Sequence, residues 1–184
     1  WATQGFSAGQ QVKIEYADNG GSSFPGTGNY VINSSIAASA LTYNWSIPTT
    51  VPLSSQCVVR ISKVGDTDTS VDSNWFTLKG QVNITYPDGG VNLPINTPYT
   101  IKWAKTGNVG NVALYYSIDA SHTSWTAISG AAALPASQGP TGFSWTIPDA
   151  PSATVKVKAV PVTAGDATSE NASDSDNAVV GSIF

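Results

Sequence analysis

The chain has 184 residues, of which 41% are hydrophobic and 11% charged, with eight basic against twelve acidic side chains and a net charge of −4. That length holds one large domain or two small ones, and an acidic balance without a basic stripe speaks against nucleic acid and anionic lipid as partners. No apolar run approaches the ~20 residues of a membrane-spanning helix, no charged-then-apolar leader opens the chain, and Met is absent, so these residues are expected to be a processed product or part of a longer parent.

In chain order, Trp1-Ala-Thr-Gln-Gly5 is followed by VKIEYA (12–17), where Val12, Ile14 and Tyr16 alternate with Lys13 and Glu15. A period of two predicts a strand with one face buried and the other in water. NWSIP (44–48) places Trp45 and Ile47 on one face and ends at Pro48, which has no N–H for a ladder. It predicts a core strand with a built-in stop. CVVRIS (57–62) is a further strand; its Cys57 is the only cysteine, which excludes an internal disulfide and suits a buried small hydrophobe. GDTDTSVDSN (65–74) reads as an acidic turn before a last strand around Trp75, and Lys79-Gly80-Gln81 is the only stretch that can serve as a joint. Three residues are too few for a long tether, so two rod-like links with limited hinge freedom are expected.

The second half restates the first. FSWTIP (143–148) matches YNWSIP (43–48) at a spacing of 100, Trp103-Ala-Lys-Thr-Gly107 matches the opening pentapeptide, VALYYS (112–117) matches VKIEYA, and VKVKAV (155–160) matches CVVRIS. Repetition at a domain-sized period predicts two copies of one all-β unit, residues 1–80 and 81–184. Val82 to Lys102, which precede Trp103, have no counterpart ahead of Trp1. The first copy is therefore expected to lack its N-terminal strands and to expose an edge and a groove, filled by an upstream continuation of the parent or by a strand from another chain.

These motifs, with ITYPDGGVNLPINTPYTIKW (84–103) and the closing DSDNAVVGSI, resemble the Ig-like module of fungal Ser/Thr-rich GPI-anchored and cell-wall-synthesis proteins, and the related tandem modules of large microbial surface proteins. The resemblance implies two tandem Ig-like, fibronectin-III-like β-sandwiches of roughly seven strands on an extracellular or cell-wall protein, with no catalytic residues to carry over. The chain departs from the pattern at Asn96, where a glycine is usual.

Candidates for chemistry are few. His122 is the only histidine, in the hairpin context DASHTSW, and with no second His or Cys in its half both a zinc site and a Ser-His-Asp system lack pieces; it reads as a solvated loop histidine. Oxygen-rich loops carrying Asp66, Asp68 and Asp72, and Asp166, Asp174 and Asp176, could offer calcium ligands, although their spacing is not that of an EF-hand and polar turn chemistry is the simpler reading. Calcium is thus the one candidate cofactor. Asp119 sits in a Ser/Thr-rich hairpin of the kind that staples a turn. Tyr115, Trp125 and Trp75 are candidates for stacking on sugars, against the alternative that Trp75 and Trp125 cap the core. Asn33, Asn44, Asn83 and Asn171 lie in N-x-[ST] sequons. The expected function is a non-catalytic structural module of an extracellular fibre, surface layer or cell-surface stalk, with strand complementation as a route of assembly. Its partners would be other copies or segments of the same surface protein and cell-wall glycan. The alternative is a carbohydrate-binding or adhesive module.

Overall fold

The computed structural model describes residues 1–162 and 171–181. The protein is all-β and sandwich-like, and among the described residues its helical elements are three-residue 3₁₀ turns. The chain divides into two compact units, Trp1–Lys79 and Gly80–Phe184.

The first unit contains β1 (Gln11–Ala17), β2 (Val31–Ala37), β3 (Ser54–Lys63), β4 (Asp66–Asp72) and β5 (Phe76–Leu78), with 3₁₀ turns at Gly28–Tyr30 and Ala38–Ala40. They form one antiparallel sheet in the order β2-β1-β3-β4, with β5 on the early part of β3. Its core gathers Tyr16, Val51, Cys57 and Leu78 against Tyr30, Ile32, Trp45, Leu53 and Phe76. The Tyr16 hydroxyl donates to the Pro52 carbonyl at 2.6 Å and lies 3.4 Å from Cys57 Sγ, so the buried phenol is satisfied. Glu15 departs from the alternation expected of β1. It is 7% exposed because Lys13 Nζ pairs with it at 2.8 Å and the Gly26 loop folds over its carboxylate.

The second unit contains β6 (Gln81–Tyr86), β7 (Asn92–Pro94), β8 (Pro98–Thr106), β9 (Asn111–Ser117), β10 (Thr126–Ala127), β11 (Leu134–Pro135), β12 (Phe143–Thr146), β13 (Ser152–Pro161), β14 (Asn171–Ala172) and β15 (Asn177–Val180), with a 3₁₀ turn at Ala136–Gln138. One sheet runs β10-β9-β13-β15-β7, with β11 on β9 and β14 on β13; the other runs β12-β8-β6. Leu93, Ile101, Trp103, Leu114, Ile147 and Val157 are fully buried. Between β7 and β8, Asn96 takes a left-handed φ of 56°, a conformation that Asn tolerates better than most residues.

The repeat is written in the ladders. β1 pairs with β3 from Val12↔Lys63 to Ala17↔Val58, and β9 pairs with β13 from Val112↔Pro161 to Ser117↔Lys156. Every pair is carried over by the same two shifts, as in Ile14 to Leu114 (100) and Ile61 to Ala159 (98). Cys57↔Phe76 on β3 and β5 likewise becomes Val155↔Asn177 on β13 and β15. Tyr16 meets Trp45 at 5.6 Å between ring centroids, and Tyr116 meets Trp145 at 5.1 Å. Trp1 Nε1 donates to the Ala38 carbonyl at 3.2 Å, as Trp103 Nε1 donates to that of Ala136 at 3.0 Å.

Two expectations need correction. NWSIP is not a ladder strand: residues 41–48 carry no sheet pairing, Trp45 is half-buried and Ile47 is 50% exposed, whereas Trp145 is 6% exposed and Ile147 fully buried. The cause is the neighbour. β12 pairs with β8, and among the described residues of the first unit nothing corresponds to β6, β7 or β8. The acidic stretch after Gly65 is a strand rather than a turn, for β4 pairs along β3 through Ile61↔Val71 and Arg60↔Asp72. Its Thr, Ser and Val residues suit a strand, and at this sheet edge Asp72 lies against Arg60 and Asp66 against Lys63.

Candidate functional site

The most polar constellation lies on the second unit around the 118–125 hairpin. Asp119 turns the chain there. Its carboxylate accepts from Ser121 Oγ at 2.6 Å, Ser117 Oγ at 2.9 Å, Ser124 N at 3.0 Å and Thr123 N at 3.2 Å. The Ser121 hydroxyl first, and then the Ser124 amide, hold this carboxyl well below the usual carboxylate range. The hairpin thereby sets His122 at a left-handed φ of 52°. Far from being solvated, the imidazole is 18% exposed and its Nε2 lies 2.9 Å from Asp176 Oδ1. Its Nδ1 is buried without a hydrogen-bond partner.

Beside it, Tyr115 and Trp125 are both half-buried and share one cation. Lys158 faces Tyr115 across the β9–β13 ladder, and its ammonium sits 4.6 Å from the Trp125 ring centroid and 5.8 Å from that of Tyr115. These aromatic faces are covered by a cation–π contact, while Tyr116 points to the other face and packs on Trp145. Trp75 is different. It does not cap the core: its indole is 64% exposed, resting beside Gly20, where a Cβ would come within 3.3 Å of the ring.

The acidic candidates are dispersed. Asp72 forms a two-pronged pair with Arg60, at 2.7 Å to Nε and 2.8 Å to Nη2, and that guanidinium holds its carboxyl low. Asp66 accepts from Thr69 Oγ1 at 3.0 Å and lies 3.7 Å from Lys63; Asp68 is exposed. The Asp174 amide donates to Asp88 at 2.8 Å, Asp176 meets His122, and Asp166 lies outside the described residues. Among the described residues, no three His, Cys, Asp or Glu side chains come together as a metal-binding group. Of the sequon asparagines, Asn44 is exposed, Asn33 on β2 and Asn83 on β6 are half-buried, and the Asn171 backbone pairs with Ala159.

A second feature is apolar. On the first unit, a cleft of about 350 Å³ opens between the β1–β3 sheet and the unpaired 41–45 stretch, walled by Trp1, Ile14, Ile32, Tyr43, Trp45 and Ile61. Nothing in the sequence marks Leu41 and Tyr43 as its rim, because that depends on the course of a loop. Compared with models of known families, with curated proteins and with solved structures, the chain has no match.

Proposed function

We propose that the chain is a non-catalytic structural part of an extracellular fibre, surface layer or cell-surface stalk, made of two tandem Ig-like modules. The observation that carries this reading is the ladder register repeated pair for pair in the two units, the mark of a building block used more than once. Two contacts at the second unit's hairpin support it. Asp119 staples its own turn, and Lys158 covers the two aromatic candidates. The resemblance to wall and surface modules supplies the setting. The test is labelling of intact producing cells with an antibody raised against this chain. Surface signal without permeabilisation is the expected result, and signal only after permeabilisation overturns the reading.

Trp75 favours a second reading, carbohydrate binding, because an indole left in water offers a face on which a sugar ring stacks. On a glycan array, a specific signal abolished by Trp75→Ala would favour this alternative. An array without binding would leave the structural role in place.

A further inference from the structure

Two pairs of tyrosines stack ring on ring in this molecule, and they differ in where their hydroxyls go. In the first unit, Tyr16 and Tyr30 lie 5.9 Å apart between ring centroids at an interplanar angle of 15°. Other partners take both hydroxyls: Tyr16 donates to the Pro52 carbonyl and Tyr30 to Asp18 Oδ2 at 3.1 Å. Tyr16 is also fully buried. In the second unit, Tyr86 on β6 and Tyr99 on β8 lie 5.4 Å apart at 18°, and here the two hydroxyls hydrogen-bond to each other. Among the described residues no other two tyrosine hydroxyls meet. Tyr86 is 40% exposed and Tyr99 half-buried, so a reagent in solution reaches the pair. With hydroxyls touching and rings nearly parallel, the ring carbons next to the hydroxyls (Cε) are brought close together across it.

We propose that Tyr86 and Tyr99 form a site of oxidative cross-linking, at which a peroxidase-type one-electron oxidant joins the two rings into a dityrosine. Each phenol loses one electron and its hydroxyl proton. The two radicals form one carbon–carbon bond between Cε atoms, and the hydrogens displaced from those carbons move to the oxygens as the rings regain aromaticity. Hydrogen peroxide takes up the two electrons and two protons and becomes two molecules of water, so the chain ends two hydrogen atoms lighter. Holding both reactants in contact makes the coupling unimolecular, with an effective concentration of about 10⁵ M or more in well-oriented cases. The pair therefore links within one chain before either radical meets a second chain. The place suits a fastening. β6 is the edge of the β12-β8-β6 sheet, and its ladder with β8 is irregular between Ile84 and Tyr86. With a single cysteine in the sequence, no internal disulfide can hold it. A bond from Tyr86 to Tyr99 closes the 87–98 loop and ties β6 to β8 covalently. The inference goes beyond the structural-module reading and rests on neither the repeat nor the setting.

The test treats a dilute solution of the 184-residue chain with a haem peroxidase and limiting hydrogen peroxide. A monomer lighter by two hydrogen atoms and fluorescent as dityrosine is expected, and proteolysis before Asp88 should leave the fragments carrying Tyr86 and Tyr99 joined. The linked fraction should not change on dilution, as a unimolecular coupling requires. Tyr86→Phe and Tyr99→Phe keep the rings and remove a hydroxyl, and each should abolish the intramolecular product. Tyr43→Phe, at a tyrosine 39% exposed in the first unit, should leave it intact. Dityrosine found only between chains overturns the proposal. So does a link that persists in Tyr86→Phe, or oxidation that falls on other residues and leaves Tyr86 and Tyr99 unlinked. None of these failures touches the surface-labelling test of the structural role, so the two readings fall separately.

Discussion

Trp45 and Trp145 occupy equivalent places against Tyr16 and Tyr116, yet the first is half-buried and the second is buried. Truncating a large buried aromatic costs ~3–5 kcal/mol, so Trp145→Ala should destabilise the second unit by that amount. Trp45→Ala should cost the first unit less, ~1–3 kcal/mol. Urea titrations followed by resonances of each unit would check both, and equal losses would show that the two indoles are equivalent after all. Acid should act through Asp119 and Asp72, whose carboxyls are held low by Ser121 and Arg60. A carboxyl with a lowered folded pKa binds its proton more weakly in the folded chain. Its stabilisation is present above the ordinary range near pH 4 and is lost as pH falls through the lowered value. The melting temperature should therefore drop between about pH 5 and about pH 2, and Asp119→Asn should flatten that drop. A variant that melts with the wild-type pH profile would remove Asp119 from the account.

Strand pairs set by period-two patterns were legible in the sequence. β1 and β13 fall where alternation of Val, Ile and Tyr with Lys and Glu predicts strands, Glu15 apart, and β9 falls where the repeat places the counterpart of β1. What was not legible depends on a neighbour. The same Trp-x-Ile-Pro motif is a ladder strand beside β8 and an unpaired stretch without it. β4 reads as a turn from its aspartates, but the β3 edge recruits it as a strand. At the hairpin, the outward turn of one tyrosine of the Tyr115–Tyr116 pair follows from alternation, whereas its cover by Lys158 follows from cross-strand register, which the string does not carry. Close approach of β8 to its neighbours makes a further demand. Gly142 has φ 83°, and a Cβ there would lie 2.5 Å from Thr100 Cγ2 and 2.6 Å from the Ile101 carbonyl. Gly142→Ala should therefore cost at least ~1–3 kcal/mol through overpacking, visible as faster hydrogen exchange in β8 and β12. Unchanged exchange would mean that the loop yields freely.

Among the described residues, the second unit has two sheets and the first has one. Stability follows the apolar surface removed from water, so the second unit should outlast the first. Amides of 111–117 are expected to exchange more slowly than their counterparts in 11–17, and identical protection in the two strands would contradict this ranking. The first unit also carries its own reporter. Cys57 is the sole thiol of the sequence, fully buried and shielded by the Tyr16 hydroxyl. A water-soluble disulfide reagent reaches it only when that unit opens, so the speed of the reaction is a clock for breathing of one half of the molecule, unmixed with the other. The labelled mass of the intact chain would show it without any probe being engineered in.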